Sequence, residues 1–269
     1  MPSFDREFFN LGYLDTLSYR HSFIHRLDPR AKLIITMAFT VTVVSFPKHE
    51  LKGLIPFFLL PVVASTLGDI PMRFILKKIL LVSPFVIFIG IFNPLLDPAT
   101  AFTFFGIEIS NGWVSFFSIL MKFMLTVSTA LLLIATTSFP GVCFALRKLG
   151  MPEIFVSQLL FLYRYLFVMA EETMKIVRAR EMRSFDKRGR GLKVFTSMAG
   201  VLFIRTVERA ERIYQAMLSR GFSGSIPSVK QYRLAWTDVI SIGAALSVFS
   251  LLRLYDIPGR LGTLIARLL

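Results

Sequence analysis

The sequence is poor in the residues from which reactive sites and disulfides are built. It contains one cysteine, Cys143, and three histidines in 269 residues. A single cysteine excludes an internal disulfide and any metal cluster held by several thiolates, so nothing points to an oxidising compartment. A phosphate-binding loop of the form Gly-x-x-x-x-Gly-Lys-Ser/Thr is also missing, which predicts that the chain does not itself bind ATP.

The few histidines do not form a pattern that predicts a metal or catalytic site. His21 and His25 have the i,i+4 spacing of a helical metal pair, but no third ligand lies near them in sequence. His49 stands alone in a predicted loop, and Cys143 has no histidine near it with which to form a nucleophilic pair. We therefore expect no resident metal, no cofactor and no catalytic residue.

Acidic residues are scarce relative to basic ones. The chain has 17 Asp and Glu against 31 Lys and Arg, a formal net charge of +14 at pH 7. In a soluble protein this balance would suggest a nucleic-acid partner, but membrane proteins concentrate Lys and Arg in cytoplasmic loops. Because the basic residues cluster between apolar blocks, we expect a lipid bilayer and no nucleic acid as the partner of this charge.

The abundant residues are apolar, and they come in blocks. The hydrophobic share is 54% and phenylalanine alone occurs 28 times, above the roughly 45–50% apolar share of a soluble domain. Five blocks are candidate spans: residues 33–46, 54–67, 79–92, 114–137 and 239–252. The sequence predicts an all-α integral membrane protein with about five transmembrane helices. Buried helices of a soluble protein are the alternative, but they would need more polar surface than this chain offers.

The lengths and flanks of the blocks refine this prediction. Only the fourth block clearly reaches the ~20 apolar residues of a span, and the others are nearer to about 14. Asp28-Pro29 is a plausible helix start before the first block. Four residues can lengthen the spans from the interface: Lys32, Lys77, Lys78 and Trp236. Because the loop 93–113 lacks Lys and Arg while basic residues follow Arg147, we expect the N-terminus and the central segment in the cytoplasm.

Two features fit this scheme poorly. Lys122 lies inside the fourth block, where it either contacts protein or reaches towards the interface. Arg253, Arg260 and Arg267 would lie outside the cytoplasm, so either the tail is an amphipathic helix at the far surface or the number of spans differs by one. The first ten residues include charges and no apolar run, which predicts no cleaved secretory signal.

The charged segment 171–223 is the stretch around which we expect the function to be organised. Pro152-Glu153 begins a helix that runs to about residue 185, near 50 Å at 1.5 Å per residue. Residues 186–191 favour a turn, and 192–220 favour a return helix. Three regions are predicted: transmembrane helices at 1–138, a cytoplasmic or interfacial helix pair at 139–235, and a last transmembrane helix with its tail at 236–269.

Each helix of this pair ends in an arginine within a short tripeptide. These are Met182-Arg183-Ser184 and Ser219-Arg220-Gly221. Taken alone, the second is typical of a helix C-cap, with Gly in the left-handed conformation and Arg complementing the dipole, and Arg183 is typical of a solvated arginine. Together they favour a docking role, because a guanidinium at a helix tip can make bidentate contacts with a carboxylate or backbone carbonyls.

Three stretches carry a resemblance to a known family. They are residues 22–33 (SFIHRLDPRAKL), 178–184 (RAREMRS) and 208–222 (ERAERIYQAMLSRGF). They resemble the transmembrane T component of energy-coupling factor transporters, and more narrowly its cobalt or nickel type, the CbiQ family. The last stretch is the most specific. The layout of spans around a helical insert also agrees, so the likeness covers nearly the whole chain.

The resemblance implies two crossed coupling helices, each ending in an Ala-Arg-Gly or Ala-Arg-Ser motif that docks into a groove of one ATPase subunit. By position, Arg183 and Arg220 take this role, while Met182 and Ser219 stand where the family often has Ala. The residues implied for this contact are Met182, Arg183, Ser184, Ser219, Arg220 and Gly221, supported by Arg178, Arg180, Arg209 and Arg212.

The resemblance also implies partners, location and substrate. It implies two ATP-hydrolysing CbiO-like subunits and a CbiM-like substrate-binding membrane subunit, with or without a small CbiN-like subunit. The assembly would lie in a bacterial or archaeal cytoplasmic membrane and import a transition-metal ion, cobalt or nickel, with this chain non-catalytic. The Phe-rich face at 155–167 would contact the substrate-binding subunit.

Two other functions stay open on the sequence alone. A membrane-anchored protein that binds anionic lipid or nucleic acid through the basic segment would bind in a strongly salt-dependent way. Acidic residues interleaved in that segment speak against it, because they repel a polyanion: Glu171, Glu172, Glu181, Glu208 and Glu211. A membrane enzyme would need a recognisable site, and none is readable.

Overall fold

The computed structural model describes residues 18, 22–48, 50–96, 100–104, 107–183, 191–224, 232 and 234–254. The chain divides into two units. We call the unit of Phe9–Val142 with Tyr232–Leu269 the bundle unit, and the unit that contains Cys143–Gln231 the crossed-pair unit. His21, His49, Ser184, Arg260 and Arg267 lie outside the described residues.

The bundle unit is helical. Asp28 begins its first long helix as predicted, because its Oδ1 accepts the Arg30 backbone N–H at 2.8 Å and Pro29 occupies the first helical turn. The described helices are α1 (Phe23–Arg26), α2 (Pro29–Val44), a 3₁₀ helix (Lys52–Phe58) that continues into α3 (Leu59–Leu67), α4 (Met72–Gly90), α5 (Phe92–Leu96), α6 (Asn111–Thr136) and α10 (Trp236–Leu254).

A short β-hairpin interrupts the helical order between α5 and α6. Strand β1 (Thr100–Phe104) pairs antiparallel with β2 (Ile107–Ser110), with Thr103 opposite Glu108. The sequence analysis did not predict this hairpin, since it noted only that the loop lacks basic residues. The all-α class is otherwise confirmed over the residues that the structure describes.

The long helices α8 and α9 lie in the crossed-pair unit, and α7 (Phe139–Lys148) precedes them in the chain. Helix α8 covers Glu153–Arg183 and α9 covers Leu192–Leu218. Both agree closely with the predicted helices at 153–185 and 192–220. Most of the predicted turn between them lies outside the described residues.

Four helices in the described part of the chain are long and apolar enough to cross a membrane: Met72–Leu95, Asn111–Thr136, Glu153–Arg183 and Trp236–Leu254. Three of them coincide with predicted spans. The first predicted span is a 16-residue helix, α2, and the second is the shorter apolar stretch Lys52–Leu67. The helix of the third span, α4, begins at Met72, before the predicted block 79–92, and therefore includes three basic residues: Arg73, Lys77 and Lys78.

Aromatic rings fill the centre of the bundle unit. The Phe39 ring lies 5.8 Å from that of Phe57 and 5.5 Å from that of Phe249, measured between centroids. Val43 and Leu125 complete the same buried cluster. Helices α2, α6 and α10 and the 3₁₀ helix therefore share one core, held by ring contacts of the favoured tilted and edge-to-face kinds.

Two lysines join α2 and α6. Each lysine belongs to one helix and donates to a carbonyl at the C-terminal end of the other. Lys32 of α2 is 7% exposed, and its Nζ donates to the Thr136 carbonyl at 2.8 Å. Lys122 of α6 donates to the Phe46 carbonyl, just beyond the end of α2, at 2.6 Å. The last carbonyls of a helix have no partner within that helix. Lys122 therefore contacts protein, which decides between the two alternatives that the sequence left open.

Other polar contacts also bind helix ends of the bundle unit. Arg253 donates to the Ser45 carbonyl at 3.1 Å and lies 4.1 Å from the centroid of the Phe46 ring. At the opposite end of α2, the Asp238 carboxylate accepts the backbone N–H of Asp28 at 2.9 Å and that of Ala235 at 2.8 Å. The starts of α2 and α10 are thereby joined.

Replacing Lys32 tests the contact at the end of α6. Lys32→Met keeps the length of the side chain but removes the donor to Thr136, and we expect a loss of about 1–3 kcal/mol in unfolding free energy. Lys77→Met is the matched control. Lys77 is exposed on α4, so its replacement should change stability by less than about 0.5 kcal/mol. Denaturant titration in detergent measures both, and equal stability of the two variants would contradict this role of Lys32.

The thiol of Cys143 should react slowly with alkylating reagents. It is 1% exposed, and burial raises the pKa of its thiol to about 11. At pH 7.5 the reactive thiolate is on the order of 100-fold rarer than for an exposed cysteine, and it becomes more populated as the pH rises towards 11. Maleimide labelling of the folded protein at pH 7.5 and 9.5 measures this against an SDS-denatured control. Labelling at the denatured rate at pH 7.5 would be the contrary result.

Candidate functional site

Helices α8 and α9 cross at a small set of polar contacts. The Glu172 carboxylate of α8 lies 3.0 Å from the Arg205 guanidinium of α9. One residue further along α9, the Thr206 hydroxyl donates to the Met169 sulfur at 3.1 Å. These contacts place the crossing about half-way along each helix. The sequence analysis missed the ion pair, because its two partners are 33 residues apart.

On the α9 face that meets α8, half-buried residues recur every three or four positions, which is the spacing of one helix face. Its half-buried members are Met198, Leu202, Thr206, Arg209, Ile213 and Met217. The polar pair Thr206 and Arg209 interrupts this face at the crossing. That interruption in an otherwise apolar heptad pattern is the sequence signal from which the crossing point could have been found.

A groove opens between the helices on each side of the crossing. The larger, about 380 Å³, lies between the first half of α8 and the second half of α9. The smaller, about 340 Å³, lies between the second half of α8 and the first half of α9. The two helices therefore diverge in both directions from the crossing.

The two predicted docking arginines lie at the ends of these diverging helices. At 1.5 Å per residue, Arg183 lies about 16 Å from Glu172 along α8, and Arg220 about 22 Å from Arg205 along α9. Arg183 ends the half of α8 that flanks the smaller groove, and Arg220 follows the half of α9 that flanks the larger one. The two tips thus extend from opposite sides of the crossing.

Both tip arginines are exposed. Neither forms an ion pair, hydrogen bond or ring contact with another residue that the structure describes. Met182, beside Arg183, is 78% exposed. An exposed guanidinium next to an exposed apolar side chain offers both a directional polar contact and apolar area.

The tripeptide Ser219-Arg220-Gly221 does form a helix C-cap. Gly221 has a left-handed φ of +80°, its N–H donates to the Leu218 carbonyl at 3.0 Å, and the Phe222 N–H donates to the Met217 carbonyl at 3.0 Å. The Ser219 hydroxyl donates to the Gln215 carbonyl at 3.0 Å. The cap uses backbone groups of Gly221 and its neighbours and leaves the Arg220 guanidinium out, so the capping and docking explanations are compatible.

The four supporting arginines do not gather at the tips. Arg212 lies 3.8 Å from the Glu208 carboxylate, the pair expected from their i,i+4 spacing. Arg209 is half-buried beside the crossing and lines the larger groove. Arg178 is exposed and Arg180 is half-buried, both on the last turns of α8 before Arg183.

Within the described residues, no group of three or more His, Cys, Asp or Glu side chains could hold a metal ion. The Nδ1 of His25 lies 2.7 Å from the Ser22 hydroxyl, a contact between neighbouring turns of chain.

Gly200 within α9 and Gly221 just beyond its end should respond in opposite ways to replacement by alanine. Gly221→Ala places a side chain at a left-handed φ and should destabilise the end of α9 by about 1 kcal/mol. Gly200→Ala, in the helix interior with open space around it, should stabilise α9 by about 0.5–1 kcal/mol. Hydrogen exchange of the Gly221 and Phe222 amides measures the local effect. Unchanged exchange in Gly221→Ala would contradict the assigned cap.

Comparison with known proteins places this architecture in a family. The family model described as CbiQ, cobalt transport protein, matches residues 20–232. The energy-coupling factor transporter transmembrane protein EcfT of Lactococcus lactis is 28% identical over 231 residues, 80% of this chain and 86% of the relative. EcfT of Bacillus subtilis is 27% identical over the same shares of the two chains.

A third relative covers only part of the chain. The putative fused cobalt transport protein CbiMQ of Methanocorpusculum labreanum is 36% identical over 90 residues, 33% of this chain and 15% of the relative. The family model itself extends over most of the sequence, from before α1 to Tyr232. This chain is therefore a multi-pass membrane protein of the CbiQ family, the transmembrane T component of energy-coupling factor transporters.

Proposed function

We propose that this chain is the energy-coupling subunit of an ATP-driven importer, and that Arg183 and Arg220 each dock into one ATPase subunit. The observation that carries the proposal is the placement of two exposed guanidinium groups, unpaired among the described residues, at the ends of a crossed helix pair. A charge-assisted, bidentate contact with a carboxylate or with backbone carbonyls would position each tip in its groove.

The crossing supplies the mechanical step of the proposed function. Each tip lies about 16–22 Å along its own helix from the ion pair of Glu172 and Arg205. Movement of the two ATPase subunits towards each other would carry both tips and change the angle between α8 and α9. The helices are long and continuous, so such movement is transmitted along them to their other halves.

The remaining residues implied by the family resemblance take local parts in this contact. Met182 adds exposed apolar area beside Arg183, and Ser219 and Gly221 hold the backbone that presents Arg220. Arg178 and Arg180 support the first tip, and Arg209 and Arg212 support the region of the crossing. Ser184 completes the first motif by sequence position.

A second partner would occupy the exposed apolar surface of the pair. On α8, Ile154, Phe155 and Leu162 are 61–68% exposed, within or beside the face at 155–167. On α9, five further apolar side chains are 43–58% exposed: Val201, Ile204, Val207, Tyr214 and Leu218. Exposed apolar surface of this kind marks protein or membrane contacts. A CbiM-like substrate-binding subunit, with or without a CbiN-like one, fits this surface.

The partners supply the chemistry in this proposal. Two CbiO-like subunits hydrolyse ATP, and the CbiM-like subunit binds the metal ion, cobalt or nickel, as substrate. The fused relative named CbiMQ supports this pairing. In this proposal residues 139–235 form the cytoplasmic or interfacial coupling region, between transmembrane helices at 1–138 and 236–269, in a bacterial or archaeal cytoplasmic membrane.

Charge reversal at the two tips tests the proposal. Arg183→Glu combined with Arg220→Glu replaces both donors with acceptors, and we expect at least about tenfold less ATPase subunit to co-purify with the chain. Each single variant should retain an intermediate amount, because one of two contacts remains. The measurement is affinity purification from membranes in which the chain and its two ATPase subunits are expressed together.

The matched control reverses the charge of two exposed lysines elsewhere in the same unit, Lys148→Glu with Lys175→Glu. This variant has the same change in net charge, and it should co-purify the ATPase subunits at the wild-type yield. A wild-type yield for the tip variant, or an equal loss in the control, would contradict docking through Arg183 and Arg220.

A further inference from the structure

The larger groove of the crossed pair is apolar over most of its length. Its walls are built from Ile154, Phe161 and Tyr165 of α8, Ile213 and Met217 of α9, and Phe222 beyond α9. The Phe161 ring lies 6.1 Å from the Phe222 ring and closes one side. The α8 wall belongs to a helix long and apolar enough to cross a membrane. Walls of this kind suit an acyl chain.

A cationic group stands at the crossing end of the groove. Arg209 lines the apolar groove and also an adjacent polar cleft that contains Glu172, Arg205, Glu208 and Arg212. Glu172 is paired with Arg205 at 3.0 Å, and Glu208 with Arg212 at 3.8 Å. Arg209 forms no ion pair or hydrogen bond with any residue that the structure describes. One half-buried positive charge of this cluster thus remains without a counter-charge.

We propose that this groove binds one anionic phospholipid, with an acyl chain along the apolar walls and the phosphate on Arg209. The volume of about 380 Å³ lies within the ~300–1,000 Å³ of small-molecule sites. The planar guanidinium matches two phosphate oxygens, and pairing removes the cost of leaving a half-buried charge uncompensated.

A lipid with an anionic head group fits this groove better than an apolar helix of a partner. The helix would cover Arg209 without neutralising it, whereas a phosphate provides the missing negative charge.

The test compares two arginines of the same helix. The full chain is purified in mild detergent from membranes that contain both phosphatidylglycerol and phosphatidylethanolamine, and bound lipid is identified by native mass spectrometry. We expect one phosphatidylglycerol per wild-type chain and about tenfold less on Arg209→Met. Arg212→Met removes the same charge from a residue that does not line the groove, and this control should retain the lipid.

A second variant and a second measurement keep the test independent of folding. Ile213→Trp fills the groove without changing its charge, and it should also lose the lipid. Added phosphatidylglycerol should raise the melting temperature of wild-type and Arg212→Met chains and leave that of folded Arg209→Met unchanged. Phosphatidylethanolamine should have no comparable effect on any of the three.

Three results would overturn the proposal. Equal loss of lipid from Arg209→Met and Arg212→Met would assign binding to diffuse charge. Equal retention of phosphatidylglycerol and of phosphatidylethanolamine, whose phosphate is balanced by its own ammonium group, would show that the groove does not select an anionic lipid. Lipid on the isolated chain but not on the chain purified with its partner subunits would assign the groove to a partner in the working assembly.

Discussion

The ion pair between Glu172 and Arg205 fixes where the two long helices meet, and the directions of both tips follow from that point. The pair is weak, because Arg205 is 57% exposed and the Glu172 side chain 23% exposed, and exposed pairs contribute only about 0.2–1 kcal/mol. No residue of α9 is fully buried. Such weak contacts set the position of the crossing and leave the angle between the helices free to change, as the proposed coupling role requires.

The bundle unit is held in a different way. Its helix ends are bound by cations whose donors replace the missing intrahelical partners, as Lys32 does at the end of α6 and Lys122 at the end of α2. Breaking such a contact within an apolar environment leaves a carbonyl without any partner. The bundle is therefore stabilised by contacts that are costly to lose, whereas the crossed pair is stabilised by contacts that are cheap to rearrange.

Local sequence signals predicted the long helices well, since Pro152 marks the start of α8 and Gly221 the end of α9. They could not predict the Glu172–Arg205 pair or the lysine contacts, because partners 33 to 104 residues apart leave no mark in local periodicity. The apolar block 79–92 places the start of α4 too late, because it begins after Lys77 and Lys78, whose long apolar stems are compatible with a helix. The docking role predicted for the two motifs rests on the arrangement of their arginines together with the family likeness, and it stays a prediction.

The central claim is that the two tips touch ATPase subunits, and site-specific photo-crosslinking tests it most directly. A photoreactive amino acid would replace Arg183 or Arg220 in turn, and Lys148 or Lys175 as controls, in membranes that contain the assembled transporter. The account predicts adducts with an ATPase subunit from positions 183 and 220 and none from 148 and 175. Adducts from 183 and 220 with lipid or with the membrane subunit alone would contradict it.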